Sequence, residues 1–318
     1  MTNATTPATS ALPRPPMARL ARFFDRYLLY VYTAFAILYL MLPVAVMALF
    51  SFNDPPGKSN LLWHGFSLDA WLDPFGVPQL FNVVMTSLLV AVLSTLVATT
   101  LGTLIALALV RYGFRGSSAT NVLIFLPMAT PEIVLGASLL TLFVAIGDPP
   151  FFPTNLLTIL IAHIMFNISY VVVTVRARLY GFDRHLEEAA MDLGANEWTT
   201  FWKVTFPMIL PGILAAALLA FSLSIDDYVI TSFTAGRTST FPIFIWGSAR
   251  VGVPVQVNVI GTAFFLIAVG FVALTTYLGS RANRPLPPPA RPDPELSRGV
   301  PTMPIVPVRP TTVPKAEA

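Results

Sequence analysis

The sequence predicts an all-α, polytopic membrane protein with six transmembrane helices, and three observations carry that prediction. Hydrophobic residues make up 55% of the chain and charged residues only 11%, a balance unlike that of a soluble domain. The apolar residues are gathered in blocks, and 28–50, 83–110 and 257–280 contain no charge. Each block exceeds the roughly 20 residues that a helix rising about 1.5 Å per residue needs to cross about 30 Å of hydrocarbon.

The elements follow in order. Residues 1–22 form an N-terminal tail whose Thr/Pro/Ala-rich start is expected to be disordered. The first span, 28–50, is too long for the apolar region of a signal peptide and lacks a small-residue cleavage site after it, so it is expected to be an uncleaved anchor. The second is 83–110. The third, 119–146, carries only Glu132 and is broken by Pro127 and Pro131. The fourth, 154–175, contains His163 and Asn167, four residues apart and so on one helix face, where they read as interhelical hydrogen-bonding groups. The fifth, 208–233, is interrupted by Asp226 and Asp227, and the sixth is 257–280. A tail over 285–318, with eleven prolines in its thirty-four residues, is expected to be disordered, which leaves 23–284 as the membrane domain. Gly102, Gly136, Gly212, Gly261 and Gly270 are read as sites of close helix packing.

Orientation follows from Lys and Arg, which are retained on the cytoplasmic side of membrane helices. With both termini cytoplasmic, the inner segments hold Arg14, Arg19, Arg22, Arg26, Arg111, Arg115, Arg176, Arg178, Arg184, Lys203, Arg281 and Arg284, while the outer loops keep Lys58, Arg237 and Arg250. The net charge of +3 is therefore a topology signal rather than a nucleic-acid footprint, and the expected surroundings are membrane lipid.

Several chemistries are excluded. With no cysteine there are no disulfides, thiolate metal sites or thiol nucleophiles. Gly57-Lys58-Ser59 echoes the end of a phosphate-binding loop, but Phe52 stands where its first glycine belongs. The chain is thus not expected to hydrolyse ATP or to be an enzyme, and no cofactor is implied. His64, His163 and His185 lie on different segments without metal-ligand spacing.

The loop 181–207 is the most ordered polar segment. Asp183 can cap a short helix in which Leu186, Ala189, Ala190 and Leu193 form one apolar face while Glu187, Glu188 and Asp192 point elsewhere. Gly194 ends it, Asn196 caps a second helix bearing Trp198, Phe201 and Trp202, and Pro207 and Pro211 lead into the membrane. Such a hairpin could lie on the lipid surface, but helices that do so display Lys and Arg, and this one displays Glu and Asp. A groove on a protein partner fits it better.

Glu188-Ala189-Ala190, Gly194 after three further residues, and Val204-Thr205-Phe206-Pro207 after nine more resemble the coupling signature of ABC-importer permeases. Val204 and Phe206 stand where Ile and Leu are commoner. Over about 28–284 the chain looks similar to the C-type permeases of spermidine/putrescine importers, through RYGFRG at 111–116, PEIVLGASLLTLF at 131–143, VVVTVRARLYGFD at 171–183, EEAAMDLGANEW at 187–198 and SIDDYVITSFTAG at 224–236. Arg237 departs from the small residue or proline often found there. The resemblance implies a type I importer permease fold, a bacterial inner-membrane location and ATPase coupling through Glu187, Glu188, Ala189, Ala190, Asp192, Gly194 and Pro207. It implies as partners a cytoplasmic ATPase dimer, a second permease subunit and an external solute-binding protein that meets the loops 51–80 and 234–256.

The cargo is read from ionisable groups inside the membrane, which are costly there and so face a pathway or a partner. Glu132, Asp226 and Asp227 are all acidic and attract protonated amines, and Tyr228 and Trp246 can face an ammonium group. Alternatively, the two aspartates lie at the outer interface, capping a helix or pairing with Arg237 or Arg250. The competing class is a self-contained secondary transporter or channel, for which a repeated half is expected and none is evident.

Overall fold

The computed structural model describes residues 16–112 and 115–282, with side chains over 27–112 and 115–277. The tail expected over 285–318 and the first fifteen residues lie outside the described residues. The regular structure is helical, apart from an isolated bridge between Asn53 and Phe66. In chain order, α1 (Pro16–Phe50) leads through a short α2 (Asp69–Leu72) to α3 (Leu80–Arg111). Next come α4 (Ser117–Ala129), α5 (Glu132–Ile146) and α6 (Leu156–Tyr180). The polar loop holds α7 (His185–Asp192), α8 (Glu197–Thr200) and a π-helical turn at Phe201–Thr205 that runs into α9 (Phe206–Ile225). A break separates α9 from α10 (Val229–Thr234), and α11 (Phe241–Ser248) and α12 (Val255–Ala282) follow.

Five helices are long and apolar enough to cross a bilayer, and the bent pair α4 and α5 makes a sixth when taken as one span. The 107° bend falls at Thr130-Pro131, because the residue before a proline is pushed out of the helical region and Thr130 sits at ψ 132°. α1 starts at Pro16, inside the stretch assigned to the N-terminal tail, since proline at a first helical position loses no hydrogen bond. From Tyr27 to Phe50 none of its side chains is buried, which is how an apolar helix presents itself to lipid or to another subunit.

The chain falls into two units, one ending at Phe265 and the other beginning at Leu266 within α12. The core of the first lies where α3, α6 and α9 meet. Ala98, Ala106, Val171, Val172, Val175, Ile209, Ala216 and Ala220 are buried together there. Small residues make it possible: Ser87, Ala91, Ser94, Ala98, Gly102 and Ala106 form a buried stripe along α3 at helical spacing. A Cβ on Gly102 would come within 2.6 Å of Val171 Cγ1, so α3 and α6 touch at the backbone. α5 packs on α10 in the same way, Gly136 lying under the ring of Phe233. Gly270, in the second unit, differs from that expectation, having no other atom within 4 Å of where a Cβ would stand.

On the opposite side from the polar loop, the segment after α1 is tied down by its own amides. Asn53 donates to Asn60 Oδ1 and to the Leu62 carbonyl, both at 2.6 Å, and Asn60 N donates to the Val253 carbonyl at 3.0 Å. The two loops expected to meet an external partner, 51–80 and 234–256, are therefore ordered and joined.

Candidate functional site

The polar loop is built by local capping and then held by the end of α3. Asp183 Oδ1 accepts from the His185 backbone N at 3.0 Å and from His185 Nδ1 at 2.6 Å. These bonds hold the Asp183 carboxyl below its usual range, and the same carboxylate raises the His185 imidazole. α7 ends in a Schellman motif: Ala195 N donates to the Ala190 carbonyl at 3.1 Å and Gly194 N to the Met191 carbonyl at 2.9 Å. That closure needs the left-handed φ of +90° found at Gly194. Asn196 Oδ1 caps α8 by accepting from Thr199 N at 2.8 Å. Pro207 has no N–H to give to Lys203 four residues back, and the helix widens there into the π turn.

α7 faces the opposite way from an ordinary amphipathic helix. Glu187 turns inward, where Arg111 Nη2 and Thr205 Oγ1 both reach its Oε1. Arg184 Nη2 donates to the Val110 carbonyl at 2.9 Å, one of the carbonyls left open at the end of α3. The apolar face turns outward instead: Leu193 is 90% exposed and Trp198 71%. Ala189, Glu188 and Asp192 are exposed beside them, Ala190 is half-buried, and the Cβ position of Gly194 meets no atom within 4 Å. Glu188 and Asp192 have no ion-pair partner among the described residues. Basic residues that sequence reasoning counted only for orientation also tie the inner ends together: Arg176 donates to Asn121 at 2.6 Å, and Arg178 to the Met208 carbonyl at 3.0 Å.

The second cluster surrounds the break between α9 and α10. Asp227 Oδ2 accepts from Thr231 N at 2.8 Å and from Thr231 Oγ1 at 2.6 Å, so it caps α10. His163, 3% exposed, sits behind it, with Nε2 at 2.9 Å from Thr231 Oγ1 and 3.4 Å from Asp227 Oδ2. Its Nδ1 lies 2.6 Å from Ser224 Oγ, which lies 2.9 Å from Ser94 Oγ on α3. Asp226, next in the chain, is exposed and makes no salt bridge among the described residues. Neither aspartate pairs with Arg237 or Arg250. Tyr228 leans on Trp246 with ring centroids 5.1 Å apart, so the two aromatics named as cation contacts are neighbours. Glu132 opens α5 at the bend, exposed and within electrostatic reach of Tyr170, with no described contact to the aspartates.

Sequence reasoning found His163 as an interhelical group but missed its partners, since Ser94, Ser224 and Thr231 are ordinary residues of membrane helices. The expectation for Asn167 is not met: it is fully buried, and its amide has no hydrogen-bond partner among the described residues.

A bundle of apolar helices, a proline-broken span and a capped polar knob define a polytopic membrane protein, and its class follows from what it resembles. The fold matches the crystal structure of a bacterial ABC transporter involved in the import of the acidic polysaccharide alginate, with a TM-score of 0.62 at 17% identity over 84% of this chain and 100% of that one. The same transporter in complex with an alginate pentasaccharide-bound periplasmic protein gives 0.59 at 18% identity, over 84% and 99%. The particular family is set by sequence. This chain belongs to the binding-protein-dependent transport system inner membrane components, which it matches over residues 98–284. It is 39% identical over 251 residues to the putrescine transport system permease protein PotI of Escherichia coli K12, covering 77% of this chain and 88% of that protein. The spermidine/putrescine transport system permease protein PotC of Haemophilus influenzae is 34% identical over 265 residues, covering 83% and 100%. The chain is therefore a multi-pass inner-membrane permease component of a binding-protein-dependent transport system.

Proposed function

We propose that this permease moves polyamines, spermidine or putrescine, into the cytoplasm, driven by ATP hydrolysed on a separate subunit. The observation that carries the cargo is the exposed Asp226, two residues from Tyr228, whose ring is tilted against that of Trp246, an acidic and aromatic corner suited to an ammonium group. The names of the curated relatives point the same way. Asp226 and Tyr228 supply the direct contacts, Asp227 shapes the break, and Glu132 offers a further carboxylate at the bend.

In this reading both termini are cytoplasmic, 23–284 is the working domain, and the flanking tails take no part in the cycle. The knob docks into a cleft on a dimeric ATPase. Glu188, Ala189, Ala190, Asp192 and Gly194 form the docking face, while Glu187 and Pro207 fix the knob to α3 and α9. The exposed Leu193 and Trp198 support this, because apolar side chains turned outward on a polar loop gain by burial in a partner. A second permease subunit completes the pore, and an external binding protein delivers cargo to the joined outer loops. The test is uptake by the complete reconstituted transporter, with putrescine, spermidine and an uncharged solute of similar length compared. Saturable, ATP-dependent uptake of the amines alone is expected, and transport of another solute with no response to amines would overturn the cargo.

A further inference from the structure

We propose that His163 is a positioning residue of the permeation path, holding the α9–α10 break so that Asp226 and Tyr228 face the cargo while Asp227 is withheld from it. The proposal rests on the reading that Asp226 and Tyr228 are the cargo contacts.

An ionised Asp227 can only accept, and it accepts the single hydroxyl proton of Thr231 at 2.6 Å. Thr231 Oγ1 can then only accept in turn, so His163 Nε2, at 2.9 Å, is the donor. On the other side of the ring, His163 Nδ1 bonds Ser224 Oγ at 2.6 Å and Ser224 Oγ bonds Ser94 Oγ at 2.9 Å, while Ser94 Oγ also reaches the Ala91 carbonyl at 3.3 Å. The bonds run unbroken from α3 through α9, α6 and α10 to one carboxylate. Linked bonds polarise one another, most of all where burial excludes water. Ser94, His163, Ser224 and Thr231 are all buried.

Two consequences follow for the break. Asp227 already accepts from Thr231 N, from Thr231 Oγ1 and, at 3.4 Å, from Ile230 N, and its side chain is only 8% exposed, so a cation meets the exposed Asp226 first. And because His163 stands on α6 and Ser94 on α3, the chain ends at Asp226–Tyr228 are referred to the rigid core rather than to a loose linker. α10 is fixed from its far end as well, where Thr158 Oγ1 donates to the Thr234 carbonyl at 2.8 Å. Asp226, with none of these ties, is the acid left to meet a cation.

The chain has no cysteine, so Asp226→Cys in this subunit introduces a single thiol whose modification rate reports where position 226 faces. In the assembled transporter, His163→Leu is expected to change that rate by about tenfold and His163→Gln to restore it, because glutamine can accept from Ser224 and donate to Thr231. With the native Asp226, the same His163→Leu is expected to raise the uptake KM for putrescine by about tenfold with a smaller effect on kcat. An unchanged labelling rate and KM overturn the proposal. If His163→Leu fails to assemble, Ser224→Ala removes the α9 link alone; a shifted labelling rate then supports the proposal and an unchanged one overturns it. A shifted labelling rate in a transporter that ignores polyamines upholds the positioning and overturns the cargo reading only.

Discussion

Two pairs of adjacent acids, Glu187–Glu188 on the polar loop and Asp226–Asp227 at the membrane break, are divided by the fold in the same way. One member of each pair is turned inward and committed: Glu187 to Arg111 and Thr205, Asp227 to Thr231 and the ring of His163. The other, Glu188 or Asp226, is left exposed without an ion pair among the described residues. The difference lies in what surrounds the committed acid. Glu187 is satisfied by a guanidinium at the open end of a helix, whereas Asp227 is satisfied by hydroxyls and an imidazole inside the apolar bundle. A permanently charged guanidinium costs least at the water-facing end. Glu187 and Glu188 are neighbours on a helix and so point about 100° apart, Asp226 and Asp227 lie in the break between two helices, and each pair offers one acid for structure and one for contact.

The largest effect is expected where the loop meets its partner. Gly194→Trp puts a side chain into the face proposed to dock and forces it into left-handed backbone, so uptake and transport-coupled ATPase activity should be lost while membrane insertion is kept. Retained uptake in proteoliposomes would break the comparison at its loop end. Next comes the division of the first pair. Glu187→Gln removes the charge that Arg111 faces, and should lower uptake by about tenfold and loosen the loop to limited proteolysis. Glu188→Gln should leave the proteolysis pattern unchanged and act only on ATPase association. If Glu188→Gln loosens the loop instead, the division is wrong.

The second pair is separated by two readouts of smaller size. Asp227→Asn removes a capping charge from α10 and should destabilise the solubilised protein by about 1–3 kcal/mol, seen as a fall in Tm. Asp226→Asn should leave Tm nearly unchanged and raise the uptake KM. A fall in Tm for both substitutions would mean that Asp226 is structural too.

The helices and the loop were legible because their signals are local. Uncharged blocks give spans, proline gives the bend after Thr130, and the glycine after Leu193 gives the helix end, all within a few residues of the feature they determine. The break at Asp226–Asp227 was legible as a polar interruption, but not which aspartate is committed. That choice is made by His163 and Ser94, which are 64 and 133 residues away in sequence from Asp227, and by side chains too common in membrane helices to stand out. The inward turn of Glu187 was hidden for the same reason. The spacing sets Glu187 with Glu188 and Asp192 off the apolar face of α7, and only Arg111 at the end of α3 singles it out for an inward contact. Asn167 shows the opposite error, a polar residue at helical spacing that finds no partner among the described residues.

The smallest expected effect sharpens the comparison by adding a pair exposed on both sides. Asp183 and His185 bond each other in full contact with water, and the sign of their pH dependence follows from the two shifts. His185 is raised above its ordinary 6.5, so its contribution is complete below that value and fades as pH rises through the folded pKa. Asp183 is lowered from its ordinary 3.8, so its contribution is complete above that value and fades as pH falls through the folded pKa. Both terms are therefore whole only between the two ordinary values, and the start of α7 should be best ordered there. Water and salt screen an exposed pair, so NMR titration of the His185 ring should show a raised midpoint at low ionic strength that falls towards the ordinary value as salt is added. Asp183→Asn should abolish both the raised midpoint and its salt dependence. A midpoint insensitive to salt and to that substitution would mean that the knob holds His185 by something other than Asp183, and that even its outermost turn is built from the inside.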